Sequence, residues 1–112
     1  MTTKVAIVQK NAALRKHLAD LVSRENGYSC VCACASAEEA ALKIPAHKPN
    51  VVLMDVHLPG ESGIVCTARL REKLPAVQVI LLAASKDIKT ILRAFKAGAI
   101  GCLLKRAGDR EI

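Results

Sequence analysis

The carboxylate of Asp55 is the group that its sequence context best places to do chemistry. It follows the apolar run 51–54, which predicts a buried strand. It precedes a turn containing Pro59 and Gly60 and a helix that begins near Ser62. A carboxylate at the end of a buried strand can attack an electrophile or bind a cation when other strands bring polar groups beside it. The alternative is that Asp55 merely caps the following helix.

The elements that would position Asp55 alternate between strand and helix along the whole chain. Apolar runs predict strands at 5–8, 28–34, 51–54, 77–82 and 100–104. Strands one, three, four and five read as continuous apolar runs, which is typical of strands buried on both faces of a parallel sheet. The pattern therefore predicts one α/β domain with a doubly wound sheet of five parallel strands.

The four intervening helices carry recognisable start and stop residues. Asn11 is the predicted cap of the first helix, and Ser36 with Glu39 forms a capping box for the second, which Pro45 is expected to end. The third helix is expected to follow Ser62-Gly63 and to run to about Lys73. The fourth is expected to be capped by Asp87, to end at Gly98, and to have one apolar face and a basic stripe opposite it. The apolar face comprises Ile88, Ile91, Leu92 and Phe95, and the stripe comprises Lys86, Lys89, Arg93 and Lys96.

The carboxyl ends of parallel strands meet at one edge of the sheet, and ligands of doubly wound domains bind there. Strand three contributes Asp55 to this edge, strand one contributes Gln9 and Lys10, and strand five contributes Lys105. Strand four ends in the run 83–85, which begins with Ala83. These residues are the predicted functional site.

Two segments of the chain resemble the receiver domain of two-component response regulators. The first runs from Val51 to Gly63 and pairs an acid with the family's Leu-Pro-x-x-Ser-Gly spacing; the second runs from Lys96 to Lys105. The resemblance implies a flavodoxin-like strand order of 2-1-3-4-5. It also implies that Asp55 accepts a phosphoryl group from a histidine kinase and that Lys105 contacts that group.

The chain departs from the family at the positions that would hold magnesium. Gln9 and Lys10 replace the pair of acids, although magnesium prefers oxygen ligands that include one or two carboxylates. Like unit charges about 4 Å apart repel by about 4 kcal/mol at an effective dielectric of about 20, and more when one ion is divalent. We therefore expect magnesium binding to be weak or absent and no other cofactor to be present. Lys10 could instead form an ion pair with Asp55.

The residues that report phosphorylation in the family are also replaced. Ala83 has no hydroxyl group where the family usually has Thr or Ser, and Cys102 stands where it usually has Tyr or Phe. The resemblance is therefore to atypical receivers, or pseudo-receivers, which are regulatory modules and not enzymes. His57, two residues after the acceptor position, is expected at the rim of the pocket.

Two other functions remain open at this stage. The first is a conventional receiver that is phosphorylated on Asp55 despite Gln9 and Lys10. The second is a cobalamin-binding module, because Asp55-x-His57-x-x-Gly60 matches the string in which a histidine ligates cobalt. Against the second, that string belongs after a first strand, and here it follows the third.

The bulk composition indicates a cytosolic protein without a membrane span or signal peptide. The net charge of +7 would allow contact with an acidic partner, while DNA is expected only through a separate output domain. Cys30, Cys32 and Cys34 alternate in strand two and should share one face, where a soft-metal site is a minor alternative to reduced, packed thiols. Residues 1–112 should form a receiver that lacks most or all of its last helix. We expect this to be either the N-terminal part of a longer protein or a module whose open sheet face is covered by another chain, as in a homodimer.

Overall fold

The fold of this chain is a parallel sheet with helices on both faces. The computed structural model describes residues 2–83 and 88–104. The strands are β1 (Thr3–Val8), β2 (Tyr28–Cys34), β3 (Val51–Asp55), β4 (Gln78–Ala83) and β5 (Gly101–Leu104). Their order is β2-β1-β3-β4-β5, and every neighbouring pair is parallel. The predicted α/β class with a parallel sheet is confirmed.

The first two helices begin directly after the residues that were expected to cap them. The four helices are α1 (Ala12–Arg24), α2 (Ala37–His47), α3 (Gly63–Lys73) and α4 (Ile88–Lys96). Asn11 Oδ1 accepts a hydrogen bond from Leu14 N at 2.9 Å, and Ser36 Oγ accepts from Glu39 N at 3.1 Å. Ser62 Oγ accepts from Val65 N at 3.2 Å. These bonds satisfy amide groups that the first turn of a helix leaves without partners. The predicted cap of α4, Asp87, lies outside the described residues.

The sheet separates two hydrophobic clusters. The α1-side core lies between α1 and the sheet and consists of Val5, Ile7, Leu14, Leu18 and Leu82. The larger α2-side core packs α2 and α3 against the opposite face and contains Ile44, Met54, Leu70, Val79 and Leu81 among others. Alternate residues of β1 and β3 belong to opposite clusters, because successive side chains of a strand point to opposite faces.

Pro45 does not end α2, contrary to the prediction. The helix continues to His47 and closes at Lys48, whose φ of 47° lies in the left-handed region. Pro45 lies in the last turn of the helix, where its missing N–H removes only one backbone hydrogen bond near the C-terminal end. The stop is instead the left-handed residue, whose N–H donates to Ile44 O at 3.1 Å.

A bulge in β2 overturns the expectation that three thiols share one face. Val5 pairs with Cys30, but the next residue, Ala6, pairs with Cys32, so Val31 is an extra residue in the strand. Cys30 consequently packs against the α1-side core, whereas Cys32 and Cys34 are buried in the α2-side core. No group of three potential metal ligands occurs among the residues that the structure describes.

The buried thiols behave as small apolar side chains. Burial and then the neighbouring Cys32 thiol raise the pKa of Cys34 far above its ordinary value, and the two sulfur atoms lie 3.4 Å apart. Burial, with a smaller contribution from Glu61, raises the pKa of Cys66 to about 11. Both thiols are therefore protonated near neutral pH, which makes them poor nucleophiles and poor metal ligands.

Among the described side chains in and just after the fourth helix, small ones pack against the core. Ala94 is fully buried, and Ala97, just after the helix, packs against the α2-side core. Two members of the predicted apolar face, Leu92 and Phe95, are 60% and 48% exposed. Of the predicted basic stripe, Arg93 and Lys96 are exposed. The side chains of Ile88, Lys89 and Ile91 and all of Lys86 lie outside the described part.

Candidate functional site

Asp55 lies at the carboxyl end of β3 and is completely buried. Its Oδ1 accepts a hydrogen bond from His57 N at 3.0 Å, so the carboxylate organises the turn that follows the strand. Val56 N donates to Leu82 O at 3.0 Å and continues the pairing of β3 with β4. The alternative role of Asp55 as a cap of α3 is not what the structure shows, because Ser62 performs that role.

Gly63 allows α3 to begin directly behind Asp55. Its N–H donates to Val56 O at 2.7 Å, and a Cβ atom added to Gly63 would overlap the carbonyl group of Asp55. Only glycine permits this approach of two backbone segments. The two residues of the Ser62-Gly63 pair therefore have distinct roles: Ser62 caps α3, and Gly63 allows α3 to lie against the backbone of Asp55.

Gln9 is the second buried polar residue at this edge, with 1% of its surface exposed. Its N–H donates to Cys34 O at 2.9 Å, and its carbonyl oxygen accepts from Arg15 Nη1 at 2.9 Å. The side-chain Oε1 accepts from Asn11 N at 3.1 Å. Gln9 Nε2 has no hydrogen-bond partner among the described residues. The residue thus joins β1, β2 and the start of α1.

Lys10, unlike Gln9, lies at the surface. Its side chain is exposed and lines a surface cavity of about 390 Å³ together with His57, Gly60, Glu61 and neighbouring residues of the turn. The described residues form ion pairs between Lys43 and Glu39 and between Arg69 and Glu61. Lys10 takes part in neither of these two pairs, and the hypothesised ion pair between Lys10 and Asp55 stays a prediction.

The remaining predicted site residues are only partly covered by the structure. Ala83 ends β4 and is 2% exposed, so its methyl group is packed in the α2-side core. Cys102 belongs to β5, but its side chain, like all of Lys105 and residues 84–87, lies outside the described residues. His57 is exposed on the rim of the cavity beside Lys10 and follows the third strand of the sheet. The structure therefore brings together Asp55, Gln9 and the turn around His57.

Comparison with known proteins assigns the chain to a family. Residues 5–112 match the family model of the response regulator receiver domain, and the chain belongs to that family. Among curated proteins, the oxygen regulatory protein NreC of Staphylococcus aureus is 29% identical over 110 residues, which are 97% of this chain and 51% of NreC. The chain thus spans about half the length of the curated relatives it matches.

Solved structures show the same fold. A two-component response regulator of the LuxR family from an Aurantimonas species is 30% identical with a TM-score of 0.89, and the match covers 99% of this chain and 79% of that one. The signal receiver domain of the putative response regulator NarL from Mycobacterium tuberculosis is 27% identical with a TM-score of 0.87, covering 95% and 86% of the two chains. This chain is accordingly a receiver of two-component signalling.

Two features of the sheet edge around Asp55 were not predicted from the sequence. The first is the hydrogen bond from Asn11 N to Gln9 Oε1, which fixes the orientation of the Gln9 amide. The second is the exposure of Lys10. A glutamine directly after an apolar strand and two residues before a capping asparagine is a weak signal for such a bond, while nothing in the sequence specifies the direction of the lysine.

Proposed function

We propose that this chain is a receiver that signals through protein contacts without depending on magnesium-assisted phosphorylation of Asp55. The observation that supports this proposal is the burial and hydrogen bonding of the Gln9 side chain. The residue is buried beside the end of β3, and its only side-chain oxygen already accepts a hydrogen bond from Asn11 N. The residues at the magnesium positions of the family offer one neutral carbonyl oxygen, which is already hydrogen-bonded, and no carboxylate, and this is a poor ligand set for a hard divalent cation.

A divalent cation normally neutralises charge on the phosphoryl group during transfer to a carboxylate. Without it, transfer to Asp55 lacks a large electrostatic contribution. Ala83 further weakens coupling to the rest of the domain, because a buried methyl group cannot donate a hydrogen bond to a phosphoryl oxygen. The side chains of this chain therefore support a regulatory surface whose state does not follow the usual metal-dependent reaction.

Conventional phosphorylation on Asp55 is the second candidate, and one observation favours it. The carboxylate is retained at the end of β3 with the turn that follows it ordered by His57 N. A response regulator from Burkholderia pseudomallei that is 27% identical, with a TM-score of 0.85, carries a phosphorylated aspartic acid and a calcium ion. The match covers 94% of this chain and 61% of that one.

Incubation with a small phosphoryl donor separates the two candidates. The chain is treated with acetyl phosphate in the presence of magnesium or of a chelator, and intact mass is recorded with an Asp55→Asn variant as control. We expect no increase of about 80 Da that depends on magnesium, because the site offers no carboxylate pair to the metal. A magnesium-dependent phosphoryl adduct that Asp55→Asn abolishes would establish the conventional receiver instead.

Partners follow from the same proposal. Contacts with a histidine kinase or an effector segment would be made by the protein surface, and contact with DNA would belong to a separate output segment. Leu92, Phe95 and Ile100 expose 60%, 48% and 53% of their surfaces beside the cations of Arg93 and Lys96, which suits an acidic protein partner. No helix among the described residues is long and apolar enough to cross a bilayer.

A further inference from the structure

We propose that Gln9, rather than Lys10, determines that the Asp55 edge rejects divalent cations. The inference rests on the proposed metal-independent function and identifies the residue responsible for it. It replaces the expectation from the sequence, in which the positive charge of Lys10 occupies the place of the metal. The argument depends on the face of the sheet, the orientation of one amide and the exposure of one lysine.

The side chain of Gln9 lies on the same face of the sheet as that of Asp55. Val8 pairs with Met54, and the N–H of Gln9 continues the ladder of β1 with β2 by donating to Cys34 O. Ile7 and Leu53 belong to the side of α1, and side chains two residues apart share a face. Gln9 lies two residues after Ile7, and Asp55 lies two residues after Leu53. Both side chains are therefore on the α1 side of the sheet, next to each other at its carboxyl edge.

The orientation of the Gln9 amide is fixed by its surroundings. Exchanging its oxygen and nitrogen would place an NH₂ group against the N–H of Asn11, where two donors would face each other. Oε1 must therefore remain on Asn11 N, and the buried Nε2 is the part of the side chain that is left to meet other groups. A metal ion in this place would approach two N–H bonds instead of a lone pair.

Lys10 is poorly suited to exclude a cation. Its exposed side chain carries a strongly hydrated ammonium group on a flexible stem, and water screens its charge. It can move away from an arriving ion without breaking any ion pair recorded among the described residues. The donor of Gln9 cannot move in this way, because 99% of the residue is enclosed and its backbone is bonded to two other elements.

Two single variants with the same change of charge distinguish the residues. Gln9→Glu converts the NH₂ group into an oxygen of nearly the same size, and Lys10→Gln removes the exposed cation without adding an acid. Each lowers the formal charge by one. Manganese binding is measured by paramagnetic broadening of the His57 amide resonance, which reports on Asp55 because His57 N donates to that carboxylate. Circular dichroism checks that each variant is folded.

We expect Gln9→Glu to bind manganese at least about tenfold more tightly than the natural chain, and Lys10→Gln to change binding by less than about threefold. An equal or larger gain from Lys10→Gln would overturn the assignment to Gln9. If Gln9→Glu does not fold, the Lys10→Gln variant still decides, because a tenfold gain from it alone contradicts the inference and an unchanged affinity supports it. Tight binding by the natural chain would instead contradict the proposed function itself.

Discussion

Gly63 controls, at the scale of a single residue, how closely α3 approaches the end of β3. A side chain at this position would meet the backbone of Asp55, which cannot rotate away as a flexible side chain would. A larger residue at this position would therefore also displace Asp55 or the turn that follows it. The residue that brings elements together is thus distinct from the residues that carry charge.

Gly63→Ala should lower the free energy of unfolding by at least about 2 kcal/mol, because the added methyl group overlaps backbone atoms. Urea denaturation followed by circular dichroism measures the change. Gly101→Ala is the matched control, since its added Cβ would make only ordinary contacts with Ile80 at 3.9 Å. A cost for Gly63→Ala no larger than that of Gly101→Ala would show that the backbone adjusts freely.

Helix α2 shows, at the scale of an element, how a cap is linked to charge. Glu39 Oε1 accepts from Ala35 N at 2.8 Å, and Glu39 Oε2 accepts from Lys43 Nζ at 2.7 Å. The Ala35 N–H first, and Lys43 next, hold the pKa of Glu39 below its ordinary value. The start of the helix is therefore more stable when Glu39 is ionised than when it is protonated.

The stability contributed by Glu39 should be present above its unfolded pKa of about 4.3 and lost as pH falls through the lower folded value. Urea denaturation of the natural chain and of Glu39→Gln between pH 7 and pH 3 tests this. The difference in unfolding free energy should shrink toward the acid end. Glu38→Gln, an exposed acid in the same turn, is the control and should show a weaker pH dependence. Equal profiles for both variants would contradict the role given to Glu39.

Elements whose signals are local were predictable from the sequence, and those that depend on packing were not. Asn11 and Ser36 cap helices as predicted, because a cap involves only residues three positions apart. The bulge at Val31 was missed, since an alternating pattern does not reveal where a neighbouring strand shifts register. The exposure of Leu92 and Phe95 was also missed, because helical periodicity does not show which side of α4 meets the sheet.

The same distinction holds for the site. Position after a strand was enough to place Asp55 and Gln9 at one edge, because parallel strands all end there. The ion pair hypothesised between Lys10 and Asp55 stays a prediction, and the exposure of Lys10 was not predictable, since spacing does not specify where a long side chain points. The commitment of Gln9 Oε1 to Asn11 N requires three-dimensional contacts that no motif encodes.

At the scale of the whole molecule, the part of the chain that the structure describes covers the two faces of the sheet unequally. The α2-side core holds Leu81 completely buried, whereas Leu53 on the other face is only partly covered. An apolar groove lined by Leu18, Leu21, Val51, Leu53 and Ile80, among others, runs beside α1. Among the described residues, the cluster on the side of α2 and α3 contains more buried apolar side chains than the cluster on the side of α1.

Leu81→Ala should cost about 2–5 kcal/mol of unfolding free energy, because it opens a cavity in a completely buried site. Leu53→Ala should cost less, since the partly covered side chain loses less buried area. Chemical denaturation of both variants compares two identical substitutions in one sheet. Equal costs would indicate that the α1 side is as tightly packed as the opposite side.

The bonds around Gln9 also determine when the first loop becomes ordered. Backbone and side-chain groups of this residue hold the end of β1 to Cys34, to Asn11 and to Arg15, all within the chain itself. A loop assembled in advance has little conformational entropy left to lose when a ligand or partner arrives. Binding of a ligand or partner next to residues 9–11 should therefore cost little conformational entropy in this loop.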